Sequence, residues 1–148
     1  MNTGNLSKII KMLMLLSLFL FIQNCSSKSK LSAIDTYLFE IFFGSTGGFS
    51  NINPVFMVKS NGEVQKKDNA FSEPFLLKKI TKPTLDSLYV LIRESNFATL
   101  KINRISNITK YIEIKSEKFT NKVSWFDDSQ IPVELLKLNK ALINTIKN

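Results

Sequence analysis

The pattern of apolar residues changes its period several times along the chain, and this limits the fold more than any other feature. Tyr37, Phe39, Ile41 and Phe43 alternate with residues that are also largely apolar. A period of two indicates an extended strand, and apolar residues on both sides indicate burial of both faces. The alternation returns in two later runs. Because helical spacing separates and follows these runs, the sequence predicts an α+β fold.

Two segments carry apolar residues at the spacing of an amphipathic helix. The first, at residues 84–95, is preceded by Thr81, a residue type that caps helix N-termini, and by Pro83, which suits a first turn. The second begins after Pro132. The residues expected to face inward are Leu85, Leu88, Tyr89 and Ile92 in the first helix and Leu135, Leu138, Leu142 and Ile146 in the second.

A hairpin is expected around Asn61-Gly62, the dipeptide preferred in a two-residue type I′ turn. Its second arm, residues 64–67, is polar, as in an exposed edge strand. Residues 69–79 contain apolar residues without alternation and are expected to form a packed connector, with room for one further short strand. The predicted order is βββαββα, an antiparallel sheet of about five strands with two helices on one face.

The N-terminal region has the composition of an export signal. Lys8 and Lys11 form a positive segment before an apolar run, MLMLLSLFLFI, at residues 12–22. A membrane-spanning helix needs about 20 apolar residues, so a run of this length fits the hydrophobic core of a signal peptide. The alternative, a buried amphipathic helix, would need a polar face, and only Ser17 interrupts the run.

The single cysteine, Cys25, follows this run in the sequence IQNCSS. The sequence resembles the lipobox of bacterial lipoproteins, in which a peptidase cleaves before the cysteine, diacylglycerol is attached to its thiol, and its new amine is acylated. Gln23 and Asn24 depart from the small residues usual there, as in the looser boxes of spirochaete and Bacteroidetes lipoproteins. The alternative is an incidental cysteine beside an ordinary cleavage site.

The lipobox resemblance divides the chain into a signal peptide at 1–24, a lipidated tether at 25–32 and a single α+β domain at 33–148. It implies attachment to a membrane through Cys25 and a place in a bacterial cell envelope, with inner or outer membrane left open. Several acyl chains, at about 0.8 kcal/mol per buried CH₂, would make such an anchor effectively permanent. The Ser/Lys tether is expected to be a flexible spacer.

The composition excludes several kinds of chemistry. The chain has no histidine, so Ser-His-Asp and Cys-His catalytic groups are excluded. One cysteine cannot form an intramolecular disulfide or a Cys₄ zinc site. Cleavage of the predicted signal peptide would remove Lys8 and Lys11 and lower the net charge from +8 to +6. No run of Lys or Arg is longer than two residues. We therefore expect a non-enzymatic protein that binds no metal, cofactor or nucleic acid.

The glycine-rich sequence GSTGGF at residues 44–49 is the main candidate for a binding loop. A phosphate-binding loop would require Lys-Ser/Thr and a helix after the last glycine, and neither is expected here. Two readings stay open: the glycines supply positive φ or a bulge between strands, or the loop presents Phe49 to a partner. Asp127-Asp128 is expected to cap a helix, because adjacent strand residues point to opposite faces and form no catalytic pair.

The order of segments also resembles that of emfourin-like proteins, small bacterial inhibitors of thermolysin-type metalloproteases. The most specific matches are the Gly47-Gly48-Phe49 turn between strands and the late run of Trp125, Asp127 or Asp128, Pro132 and Leu135. The resemblance implies inhibitor activity with Gly47, Gly48 and Phe49 as binding residues. Ser50 and Asn51 depart from the family's continuation after this turn. The outline is also similar to Bacteroidetes lipoproteins with a glycine-rich loop near the mature N-terminus.

The sequence therefore predicts a lipid-anchored protein of a bacterial envelope that acts as a non-enzymatic binding module. Its partner is expected to be a protein or a small ligand. One alternative is an emfourin-like inhibitor of a metalloprotease. The other is a hydrolase without histidine, since Ser-Lys chemistry does not require that residue.

Overall fold

A computed structural model of the chain describes residues 38–48, 53–69 and 71–147. The predicted signal peptide, Cys25 and the tether lie outside the described residues, and so does Phe49. None of the helices within the described residues combines the length and apolar character needed to cross a membrane.

The fold is α+β, with one antiparallel sheet of six strands in the spatial order β4-β3-β2-β1-β5-β6. Two α-helices follow β4 and β6 along the chain. The elements are β1 (Phe39–Gly47), β2 (Val55–Lys59), β3 (Glu63–Lys67), β4 (Phe75–Lys79), α1 (Lys82–Glu94), β5 (Ile108–Ser116), β6 (Thr120–Trp125) and α2 (Val133–Lys147).

The prediction of about five strands in the order βββαββα is wrong by one strand, because β4 makes the order ββββαββα. The three apolar residues that begin β4, Phe75, Leu76 and Leu77, are consecutive and all exposed. They therefore give no alternation from which a strand could be recognised. Pairing with β4 also places β3 inside the sheet, so the prediction that β3 is an edge strand is wrong.

One face of the sheet packs against the two helices. Phe39, Ile41 and Phe43 of β1 are buried in one cluster with leucines of both helices. The rings of Phe39 and Tyr89 meet edge to face, with their centroids 4.6 Å apart. The prediction of inward residues is confirmed for the buried Leu85, Leu88, Leu135, Leu138 and Leu142, whereas Tyr89, Ile92 and Ile146 lie half-buried at the margin of the cluster.

The N-terminus of α1 is capped as the sequence predicts. The Thr81 hydroxyl oxygen accepts a hydrogen bond from the backbone N–H of Thr84, 3.4 Å away, and Pro83 lies in the first turn. The helix begins at Lys82, two residues before the predicted start. The last helix follows Pro132, as predicted, and begins at Val133.

The turn between β2 and β3 differs from the predicted two-residue hairpin. The Gly62 N–H donates to the Lys59 carbonyl, 2.9 Å away, so three residues connect the strands. Gly62 has a positive φ of 84°, whereas Asn61 does not, and a type I′ turn would require it at both residues. The Asn61 side chain instead accepts a hydrogen bond from the Glu63 N–H. This is a three-residue loop with glycine in its last position.

One edge of the sheet, β6, is paired with a further segment of the chain, whereas the other edge, β4, is not paired with any described segment. Along β6, Asn103 forms a parallel bridge with Ser124. The Arg104 N–H donates to the Ser124 carbonyl, and the Ser124 N–H donates to the Ile102 carbonyl, both over 2.9 Å. The opposite edge is β4, and no described segment pairs with its outer side.

Candidate functional site

The glycine-rich segment is part of β1 rather than a loop. Gly44 to Gly47 continue the pairing with β5, and Gly47 stands opposite Ile108. Gly47 and Gly48 have positive φ angles of 93° and 86°. This agrees with the interpretation that the glycines are present for their backbone conformation. Phe49, the third residue of the predicted binding set, lies outside the described residues.

Backbone contacts fix the turn at Gly47 and Gly48. A Cβ atom on Gly47 would stand 1.9 Å from the carbonyl oxygen of Asn107, so only glycine fits there. The Gly48 N–H donates to that same carbonyl over 3.0 Å, and the Asn53 side-chain amide donates to the Gly47 carbonyl over 2.8 Å. The Gly48 N–H is therefore already bonded, which argues against an anion cradle at this point.

A cleft of about 400 Å³ lies next to this turn, on the sheet face opposite the buried cluster. Its volume is within the range of sites for small ligands. The strands contribute hydroxyl and ammonium groups, and the segment that protects the β6 edge contributes an amide and an apolar side chain. The lining residues are Thr46, Asn103, Ile105, Thr109, Lys122 and Ser124.

The cleft combines fixed groups with groups that can bind a partner. The Thr109 hydroxyl donates to the Ser106 carbonyl and accepts from the Ser106 N–H, both over 2.9 Å, so it holds the loop before β5 in place. Thr46 and Asn103 are exposed at the rim. Among the described residues no carboxylate lines the cleft, which offers hydroxyl and amide groups and one positive charge.

The open face, which we define as the sheet face opposite the two helices, has aromatic residues at its centre with lysines above them. The Lys122 ammonium lies 4.8 Å from the centroid of the Tyr111 ring, and Lys115 lies 4.8 Å from that of Phe42. Burial, and then the nearby Glu113 carboxylate, raise the pKa of the Tyr111 phenol above its usual value. The face of the Tyr111 ring attracts the ammonium group of Lys122.

The Asp127-Asp128 pair is held by hydrogen bonds within the fold. Asp127 caps a short 3₁₀ turn, as predicted, and its hydrogen bonds from the Ser129 backbone and hydroxyl lower its pKa. Asp128 has a role that the sequence did not indicate. It accepts hydrogen bonds from the Lys110 ammonium and from the indole N–H of Trp125, each 2.8 Å long, and these lower its pKa.

Trp125 is fully buried, so its indole N–H requires an acceptor inside the protein. Asp128 supplies that acceptor, while Lys110, which is opposite Trp125 in the β5–β6 pairing, balances the charge. The spacing of Trp125 and Asp128 was visible in the sequence. The register that brings Lys110 to them was not.

The comparisons with known proteins give no further guidance. No protein-family model matches the chain, and a search of curated proteins finds no similar sequence. Among the described residues, no group of three or more Asp, Glu, Cys or His side chains could hold a metal ion.

The two glycines of the turn are expected to respond very differently to an added methyl group. Gly47→Ala should lower the free energy of unfolding by about 3 kcal/mol or more, because the new Cβ overlaps a backbone oxygen. Gly48→Ala should lower it by about 1–2 kcal/mol, since its Cβ would meet no atom within 4 Å and only the positive φ is strained.

Chemical denaturation followed by the fluorescence of Trp125, the sole tryptophan, measures both changes. Equal losses in the two variants would contradict the assignment of Gly47 to the close contact with Asn107.

Proposed function

We propose that the chain is a lipid-anchored lipoprotein of a bacterial envelope whose folded part acts as a non-enzymatic binding module for a protein or small ligand. The observation that carries the binding role is the cleft at the glycine end of the open face. Hydroxyl, amide and ammonium groups converge in this cleft, beside a turn that is held by hydrogen bonds to Asn53 and Asn107. A site on such a fixed backbone can orient a ligand without rearrangement.

The two adjacent carboxylates that could act in acid–base catalysis are already engaged in hydrogen bonds within the fold, and this supports the proposal of a non-enzymatic protein. Asp127 and Asp128 are held by Ser129, Trp125 and Lys110. In the part of the chain that the structure describes, the cleft is lined by Lys122 and hydroxyl groups, with no carboxylate to act with them as an acid–base pair. Binding of a hydrogen-bonding or anionic group requires only the donors that are present.

The anchor is supported by the sequence before the described residues. The apolar run at residues 12–22 is followed directly by IQNCSS, and Cys25 is the chain's only cysteine. The described structure begins at Leu38, thirteen residues after Cys25. Lipid attached at this position would keep the folded part close to a bilayer.

Site-specific photo-cross-linking in producing cells tests the anchored module. A photoreactive residue at Thr46, on the rim of the cleft, is expected to give a discrete adduct with an envelope component. The matched control is Glu94, an exposed position at the end of α1, where we expect no such adduct. Cys25→Ser should abolish palmitate labelling and detergent partitioning, and should reduce the Thr46 adduct.

Two results would contradict these assignments separately. Palmitate labelling that persists in Cys25→Ser would remove the anchor. Adducts that are equally strong from Thr46 and Glu94, or absent from both, would remove the cleft as the binding site while leaving the anchor intact.

A second candidate function is inhibition of a thermolysin-type metalloprotease. The observation in its favour is the fixed turn at Gly47 and Gly48, which holds one end of the segment that contains Phe49. Asn53, on the other side of that segment, is bonded to the same turn. The chain before and after Phe49 is therefore held together, and protease inhibitors commonly bind with little change in their backbone.

Incubation of the detergent-solubilised protein with a thermolysin-type protease tests this candidate. An inhibitor should reduce peptidase activity at micromolar concentration, and Phe49→Ala should weaken that inhibition by about tenfold or more. Phe126→Ala, which removes an exposed ring outside this segment, is the matched control and should leave the inhibition unchanged. Full peptidase activity with the wild-type protein would rule out the inhibitor function.

A further inference from the structure

The hairpin of β3 and β4 exposes four large apolar side chains along one edge of the sheet. Phe71, in the connection between the strands, is 99% exposed, and Leu76 on β4 is 59% exposed. We call this set the β4 patch. It consists of Phe71, Phe75, Leu76 and Leu77. Phe75 stands opposite Lys66 and Leu76 opposite Gln65, so these two side chains lie on opposite sides of the β4 edge and the patch covers both sides of that edge. Several large apolar side chains exposed along one edge indicate a surface that meets a protein or a membrane.

Lysines stand at both ends of the β4 patch. Lys66 and Lys67 end β3, and Lys78 and Lys79 end β4. Residues 66–79 contain these four lysines and two acidic residues, Asp68 and Glu73, so the segment has a net charge of +2.

The lysine next to the patch is also in contact with it. Lys66 is paired with Asp68 over 2.7 Å, and its ammonium lies 5.7 Å from the centroid of the Phe75 ring. Long lysine side chains can cover apolar surface while their charged ends reach towards anionic headgroups. The patch therefore has the mixture of apolar and positive groups that binds a lipid surface.

The shape of β4 argues against a further strand as the occupant. Gln65 pairs with Leu76 and Val64 pairs with Lys78, so Leu77 has no counterpart on β3. This β-bulge interrupts the regular spacing of backbone groups that an added strand would need. A lipid surface needs no such regularity, because it meets the side chains rather than the backbone.

The length of chain before the structure allows the patch to reach the membrane. Leu38 follows Cys25 by thirteen positions, and thirteen steps of about 3.3–3.6 Å span at most about 45 Å. β1, which begins one residue after Leu38, has nine residues and is about 30 Å long. A domain anchored at Cys25 can therefore lie with its strands along the bilayer and its β4 edge against it.

We infer that the β4 patch docks onto an anionic lipid bilayer, with Phe71 inserted among the lipids and the flanking lysines at the headgroups. This inference rests on the proposed anchor, which holds the domain at the surface that the patch then binds. Docking would fix the orientation of the anchored domain and leave the cleft beside Thr46 accessible from one side.

Tryptophan fluorescence on vesicles tests the docking with the full, lipidated protein. Phe71→Trp adds a probe at the most exposed residue of the patch, where a change of side chain should not disturb the fold. Trp125 can remain, because its side chain is fully buried and brominated lipids cannot reach it. On vesicles of brominated, anionic phosphatidylglycerol, emission from the new tryptophan should fall by about twofold or more.

Phe126→Trp is the matched control, since Phe126 is also exposed but follows β6 at the other edge of the sheet. Its emission should not be quenched by the same vesicles. Flotation with neutral vesicles reports the anchor alone, so loss of flotation would count against Cys25 and not against the patch. With flotation intact, absence of quenching at position 71, or equal quenching at 71 and 126, would overturn the docking.

A charge variant tests the anionic preference. Replacing Lys67 and Lys79 by glutamine should reduce the ratio of docked to free patch on anionic vesicles by about thirtyfold, because each of the two lysines contributes about 1 kcal/mol near the surface. The proposal would be overturned if the Phe71→Trp probe were quenched to the same extent on neutral and on anionic brominated vesicles. The proposal would also be overturned if the tryptophan at position 71 were shielded from a water-soluble quencher but not quenched by brominated lipid, because that result would indicate a protein partner.

Discussion

The structure depends on β1, which pairs with β5 along its whole length and with β2 on its other side. Its side chains alternate between the helix-packed cluster, through Phe39, Ile41 and Phe43, and the open face, through Phe42. The side chains of β1 on the open face are only half-buried at Glu40 and Phe42 and exposed at Thr46, so the prediction that both faces of this strand are buried is wrong. The other strands extend the sheet outward from it, and the helices cover the one face that it makes most apolar.

The central position of β1 also explains why its glycine end is next to a candidate site. The strand continues to Gly47, where close approach of the Asn107 carbonyl leaves no room for a side chain. The loop before β5 is thereby held against the end of β1, and Thr109 bonds the same loop through Ser106. The cleft beside Thr46 and Lys122 is a consequence of this packing. Its position follows from the sheet, whereas its hydrogen-bonding groups are what a partner would recognise.

The sequence predicted those parts of the fold in which one periodicity continues over many residues. β1, the two helices and the alternation of β5 and β6 are of this kind, and Thr81 could be identified as a cap because capping is local. Residues 69–79 left room for a short strand, but β4 could not be placed within them, since three consecutive apolar residues carry no period and the bulge in β4 depends on its pairing with β3. The cleft and the Lys110 contact with Asp128 depend on strand register, which arises from long-range pairing that no local pattern records.

β1 lies at the centre of the sheet with a partner strand on each side, whereas β4 is an edge strand that pairs only with β3 and exposes Phe75, Leu76 and Leu77. We therefore expect β1 to be the more stable of the two strands. Amide hydrogen exchange of the purified protein tests this claim directly, because exchange rates report how much structure must open at each residue. Amides of β1 and β5 should exchange only through global unfolding, and those of β4 about 100-fold faster or more. Protection of β4 equal to that of β1, or exchange of β1 before the helices, would contradict the account.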